Sequence, residues 1–354
     1  MALALFSSLA CLVAAATAQL QVSVMPSYSQ NTAYANADIN VPIQVWGRAW
    51  GGTPPYTATL DAGDGNGPQA VGAANPDDIG LPVTYNTAGI KTFTLTVTDS
   101  AAVSVSRSGT IRVFGAPTKD QLVNMAISKG KRYLYLSQIP VGATQAMWRG
   151  RTFDGAGVRT TYSNAATGAA LLCLEENGHL PGNDPVADIY AETIQKGLDW
   201  LTAAANNFPI GVQSAGDPDS NGNGVGSYLY AGSDESYTNG WAALALVAAE
   251  QTAAGAAART VASGPLAGKS YLDLVTDIID LFSYSQTDAG TNGGWRYNLR
   301  TSNSAPNDAS AMQWPSLLFL AASDAWGVST PPWVLDRTAE GFKVLQAPNG
   351  GVGY

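Results

Sequence analysis

The sequence holds one histidine, His179, and two cysteines, Cys11 and Cys173. A catalytic zinc site built from Asp, Cys and His would have a single histidine and two cysteines to draw on, which argues against zinc catalysis. His179 sits in Asn177-Gly178-His179-Leu180-Pro181, a loop with no recognisable partner for a serine triad. Charge is sparse too: 13% of residues are charged, and 18 Lys and Arg face 27 Asp and Glu. Phosphate backbones need a basic face, so a nucleic-acid partner is excluded, and adsorption to anionic lipid with it. Beyond the first residues no apolar run is long enough to span a bilayer. What remains is a chain of 354 residues, 45% of them apolar, about right for two domains with real cores.

Residues 1–18 carry no charged side chain, and 3–16 are apolar apart from Ser7 and Ser8. Ala16-Thr17-Ala18 is a small-x-small site before Gln19. The segment reads as a cleaved signal peptide lacking the usual Lys or Arg. Export to the cell surface or beyond, or to a periplasm, follows. Ser8-Leu9-Ala10-Cys11 is a weak lipidation pattern. With Cys11 removed, Cys173 has no disulfide partner, and its setting in the apolar run 169–174 predicts a buried, inert thiol.

Over 21–113 the hydrophobic period is two. Ile39, Val41, Ile43 and Val45 alternate with polar residues, as do Tyr56, Ala58 and Leu60. Phe93, Leu95 and Val97 alternate with Thr92, Thr94, Thr96 and Thr98, and Gly, Pro, Asn and Asp separate the runs. This predicts an all-β sandwich over 20–115 with the threonines facing water. Leu60-Asp61-Ala62-Gly63-Asp64-Gly65 and the run from Val83-Thr84-Tyr85 to Val97-Thr98-Asp99 resemble the paired motifs of PKD (polycystic kidney disease) repeats. Leu60, Ala62 and Val83 replace that family's Trp, Phe and His. The resemblance implies an immunoglobulin-like spacer or adhesion module without catalysis.

After Gly115-Ala116-Pro117-Thr118 the period becomes 3.6. Tyr271, Leu274, Val275, Ile278, Ile279 and Phe282 make one helical stripe, with Asp273, Asp277 and Asp280 on the expected wet face. Ile194, Leu198 and Leu201 make a second, and Leu335, Ala339, Phe342 and Leu345 a third. Between them, 165–174, 240–249 and 317–322 are apolar nearly all round, so these helices are expected to be buried on every side. Pro315 is expected to kink its helix or mark its first turn.

Alternation of buried and amphipathic helices is what two concentric rings require. Asn292-Gly293-Gly294-Trp295-Arg296-Tyr297, then Asp308-Ala309-Ser310-Ala311-Met312-Gln313-Trp314, with an earlier copy in Asp234-Glu235-Ser236-Tyr237-Thr238-Asn239-Gly240-Trp241, resemble prenyltransferase and squalene-cyclase repeats. Gln346 to Tyr354 resembles the end of another repeat. The implied fold over 118–354 is an all-α α/α toroid. About four helix pairs are present where closed toroids of that family use more, so the ring is expected to be truncated, open or completed by a partner. The family's catalytic marks are missing. Ser233-Asp234-Glu235-Ser236 is not the D-x-D-D acid of a cyclase, and Cys173-Leu174-Glu175-Glu176 is not a thioester segment.

Asp234 and Asp308 each precede a buried helix. They are N-caps by one reading and general acids at the mouth of the ring by the other. Trp241, Trp295, Tyr297 and Trp314 either pack the core or line a cavity that stacks on sugar or holds lipid. Asp217, Asp219, Asn221 and Asn223 alternate like the start of a calcium loop, but position twelve is Tyr228 rather than Glu, and a flexible Asx/Gly loop is the alternative. The leading expectation is an exported protein whose spacer carries a helical binding platform for an extracellular carbohydrate, lipid or protein. The alternatives are an enzyme on carbohydrate or isoprenoid with Asp234 or Asp308 as acid, and a calcium-dependent adhesion protein.

Overall fold

The computed structural model describes residues 18–28, 36–150, 152–154, 157–159, 162–287, 292–301 and 307–353. The signal segment, apart from Ala18, lies outside the described residues, as does Cys11. The chain divides into two compact units, Met1–Ser128 with Val186–Ile189, and Lys129–Pro185 with Tyr190–Tyr354.

The first unit contains eight strands: β1 (Gln21–Val24), β2 (Asn36–Asp38), β3 (Ile43–Trp50), β4 (Thr57–Asp61), β5 (Gln69–Val71), β6 (Ile79–Val83), β7 (Gly89–Thr98) and β8 (Ser104–Phe114). They form two sheets, ordered β1-β3-β6 and β2-β8-β7-β4-β5, with β2–β8 the parallel pair. Alternation turns Phe93, Leu95, Val97 and Ile111 inward, fully buried with Val22, Val45 and Ile79 of the other sheet. On the outer face Thr94, Thr96 and Thr98 share hydrogen bonds with Ser108, Ser106 and Ser104 across β7–β8, at 2.7–2.8 Å. The Asp61 carboxylate accepts the Gly63 N–H at 2.9 Å. Gly63 has φ +67°, and a Cβ there would lie 2.1 Å from the Thr92 carbonyl, so the turn admits only glycine. Leu60 and Ala62 are buried, and the Tyr85 hydroxyl donates to the Ala62 carbonyl at 2.8 Å.

Helix α1 (Lys119–Ser137) crosses the division between the units. Two short hairpins follow, β9 (Ile139–Pro140) with β10 (Ala146–Met147) and β11 (Thr152–Asp154) with β12 (Gly157–Arg159). Then come α2 (Ser163–Glu175), α3 (Ala191–Ala203), the hairpin β13 (Asn206–Pro209) with β14 (Val225–Tyr228), α4 (Glu235–Ala248), α5 (Ala253–Ala258), α6 (Tyr271–Ser285), α7 (Ala309–Trp326) and α8 (Pro332–Leu345). The apolar helices α2, α4 and α7 pack side by side as an inner row; α3 lies on α2, α6 on α4 and α7, and α8 on α7. Glycines set the spacing of the row. A Cβ on Gly168 of α2 would sit 2.7 Å from the Trp241 carbonyl of α4, and one on Gly240 of α4 would sit 2.5 Å from Trp314 Cβ of α7. The α6 stripe is wholly buried, and each such side chain removed from water contributes about 1.5–3 kcal/mol.

Three expectations are corrected. Asp277 and Asp280 do not face water: both are fully buried, because the 210–224 loop and β14 cover that side of α6. Among the three aspartates Asp273 is the exposed one; Ser270 caps α6, its hydroxyl accepting the Asp273 N–H and donating to the Asp273 carboxylate. The α7 run is not enclosed, since Leu317 and Leu320 are 46% and 60% exposed at the edge of the row. Cys173 is exposed rather than buried, because it borders an open cavity with Tyr133, Trp148 and Ala169 instead of a packed helix. Pro315 lies inside α7, where the Ser316 hydroxyl takes the Met312 carbonyl at 2.8 Å. Among the described residues no helix is long and apolar enough to cross a membrane.

Candidate functional site

The N-terminal ends of the three inner helices carry a polar and aromatic cluster. Asp234 precedes α4 in the left-handed region, φ 63° and ψ 38°, and its side chain caps nothing. It instead accepts the Tyr162 hydroxyl, from the start of α2, at 2.7 Å. Aspartate is among the few non-glycine residues that tolerate this conformation. Asp308 does cap α7: Oδ1 accepts the Ser310 N–H at 2.9 Å and the Ser310 hydroxyl at 2.6 Å. A carboxylate only accepts, so Ser310 spends its proton there and the Tyr237 hydroxyl, 2.5 Å away, must donate to Ser310. The second oxygen of Asp308 is buried without a hydrogen bond.

Tyr237, Trp241 and Trp314 form one aromatic surface with Tyr297. The Trp241–Trp314 centroids are 4.6 Å apart, Tyr237–Tyr297 5.7 Å and Tyr237–Trp314 6.3 Å. All four are half-buried. The Trp314 indole N–H has no acceptor. Beneath them Glu235 anchors the neighbouring loop. Its carboxylate takes Arg300 Nη2 at 2.6 Å, Arg300 Nε at 3.0 Å and the Leu299 N–H at 3.0 Å.

Of the residues singled out in the sequence, Asp234, Asp308, Trp241, Tyr297 and Trp314 meet here. Trp295 does not. It is fully buried, donates its indole N–H to the Phe282 carbonyl at 2.7 Å and packs edge-on against Phe319 at 5.9 Å, so it belongs to the core. Tyr162, Tyr237, Ser310 and Glu235 went unrecognised. Tyr237 and Ser310 each stand four residues before a tryptophan, at the same place in the two motif copies, and i, i+4 spacing puts each pair on one helix face. That recurrence could have found them; Tyr162 has no such signal.

The calcium candidates lie together in the loop, but their oxygens are committed. Asp219 accepts the N–H groups of Gly222, Asn223 and Gly224 at 2.7–3.2 Å, and Asp217 accepts that of Asp219. Asn221 and Asn223 turn their amide nitrogens to Asp277 at 2.8 and 3.0 Å, and Lys269 pairs with the same carboxylate. Among the described residues no three His, Cys, Asp or Glu side chains are placed to hold a metal. The arrangement favours the Asx/Gly loop over calcium. Next to it burial pushes the Asp280 carboxyl up to about 7, with Asp277 and Asp219 acting the same way. Ser220 faces Asp280, but neither carboxyl oxygen completes a hydrogen bond of normal geometry.

No protein-family model matches the chain, and no curated protein matches it. Among solved structures, the PKD domain of the human VPS10 domain-containing receptor SorCS2 is similar over 28% of this chain and 75% of that one, at 16% identity and a TM-score of 0.22. A family 76 glycoside hydrolase from a bovine Bacteroides thetaiotaomicron strain is similar over 94% of this chain and 65% of that one, at 12% identity and a TM-score of 0.40. A beta-1,2-glucanase from Parabacteroides distasonis is similar over 88% and 43%, at 12% identity and a TM-score of 0.34. The chain spans less than two thirds of either enzyme's length.

Proposed function

We propose that the helical unit is a carbohydrate-binding platform, with Tyr237, Trp241, Tyr297 and Trp314 as the stacking surface, in an exported protein whose β-sandwich acts as spacer. The observation that carries the reading is the company these aromatics keep. Four half-buried rings stand with centroids 4.6–6.3 Å apart, next to the Asp234–Tyr162 and Asp308–Ser310 hydrogen bonds at the helix starts. Partly exposed aromatic faces bordered by polar side chains favour a ligand that offers hydroxyls and an apolar face together. A sugar ring has both.

Affinity electrophoresis through gels containing individual soluble polysaccharides tests this. At least one should retard the chain, and Trp241→Ala and Tyr297→Ala should abolish the retardation while circular dichroism stays unchanged. A chain that no polysaccharide slows, or variants slowed as much as the parent, would remove the proposal. The same cluster holds the Asp308 carboxyl at the start of α7, and in a second reading a local opening lets Asp308 donate a proton to a glycosidic oxygen. Release of reducing ends from the retarding polysaccharide, lost in Asp308→Asn, would establish that reading over plain binding.

A further inference from the structure

At the opposite, C-terminal ends of the same helices lies a cavity of about 490 Å³. Leu172 of α2, Leu244 and Val247 of α4 and Ala321 of α7 form its walls, and Glu175, Glu176 and Glu250 line it as well. Helix carbonyls converge at this end, so the dipoles add negative potential to three carboxylates. Glu250 is paired with Arg259, whose Nη1 also donates to Gln195 at 2.7 Å. Glu175 is buried, and neither of its carboxylate oxygens has a hydrogen bond. A buried anion with no donor, at the negative end of a helix, is the least favourable setting a carboxylate can have. The aromatic site at the other end uses none of these groups.

We propose that this cavity binds a primary ammonium group carried on a small, partly apolar body, with the ammonium ion-paired to Glu175. The apolar walls suit the body, and an ammonium offers the donors that both Glu175 oxygens lack. A guanidinium already sits on the outer side, at Arg259, but it is held by Glu250 and Gln195. The titratable groups around Glu175 are Glu176 beside it, Glu250 at the end of α4, Asp199 on α3, Arg259 after α5 and Tyr271 of α6. Burial, then Glu176, holds the Glu175 carboxyl well above the ordinary range, against a smaller pull from Arg259. An arriving ammonium favours the charged form of Glu175, against the burial that favours the neutral one. The exchange balances: Glu175 loses its proton to solvent, keeps the negative charge and pairs with the ammonium, which keeps its own three protons.

Isothermal titration of the full chain with hexylammonium and with D-glucosamine, each run in buffers of different ionisation enthalpy, tests the proposal. Hexanol and hexanoate serve as controls. Binding by at least one amine, with net proton release, is expected; which amine binds tells whether the charge arrives on an alkyl or a sugar body. Glu175→Gln should weaken binding by about tenfold or more and abolish the proton release. Glu176→Gln, an exposed change that leaves folding intact, should weaken binding less and keep the release. Absence of binding by both amines, equal binding of hexanol, or unchanged proton release in Glu175→Gln would overturn the assignment.

Discussion

Replacing Gly168 by alanine tests the inner helical row through the sign of its effect. In an open helix interior this change is favourable by about 1 kcal/mol, because alanine has the better helix propensity. At Gly168 the new Cβ would meet the Trp241 carbonyl oxygen at 2.7 Å, its carbon at 2.8 Å and the Ala242 nitrogen at 2.9 Å. All three are backbone atoms of α4, so no side chain can swing aside, and α2 must back away by about half an ångström along the whole contact. Overpacking of this kind costs about 1–3 kcal/mol. With the propensity gain set against it, a net loss of up to about 2 kcal/mol remains, or up to roughly 8 °C in the melting of a unit this size. Gly130 of α1 is the control, since nothing lies within 4 Å of a Cβ placed there. Gly130→Ala should raise the midpoint, and Gly168→Ala should lower it, in urea titrations followed by far-ultraviolet circular dichroism. A Gly168→Ala chain stabilised like Gly130→Ala would refute the close α2–α4 packing.

Arg300→Ala strips the cation from Glu235, a buried carboxylate; stability should fall by about 2 kcal/mol, less than for a fully buried pair because Arg300 itself is partly exposed, and chemical denaturation reads it. Tyr85→Phe removes one buried hydrogen bond in the β-sandwich and should cost about 1–2 kcal/mol, leaving the second unit's transition where it was. Asp280 is raised from 3.8 to about 7 in the folded chain, so the folded state binds more protons than the unfolded one between these values. Its contribution is complete below pH 4 and disappears as pH rises through 7; Asp280→Asn should flatten that decline by at most about 4 kcal/mol, and urea midpoints taken from pH 4 to pH 8 measure it.

Periodicity made much of the architecture legible. Phe93, Leu95 and Val97 alternate strictly with threonine, and only one side of a sheet can be dry. The apolar run at 240–249 marked α4 as an inner helix because no side of it could face water, and the run at 165–174 did the same for α2 except at Cys173, which is exposed. The same rule failed for Leu317 and Leu320, which lie at the edge of the row where no further helix covers them among the described residues. It failed again for Asp277 and Asp280, because a helical stripe pattern says which side is polar but not what a distant loop will lay over it. Of the site, the two tryptophans and the two aspartates stood out through their repeated setting. Their roles did not: the left-handed turn at Asp234, the Tyr162 contact and the complete burial of Trp295 are long-range results of packing. Glu175 was hidden because a lone acid at the end of an apolar helix looks like any solvated terminus.

Backbone hydrogen exchange with and without a retarding polysaccharide tests the placement of the binding surface most directly. The account predicts slowed exchange at the starts of α4 and α7, in 234–241 and 308–314, with the β-sandwich strands unchanged. Protection confined to the β-sandwich, or to the outer helices α3, α6 and α8, would contradict it.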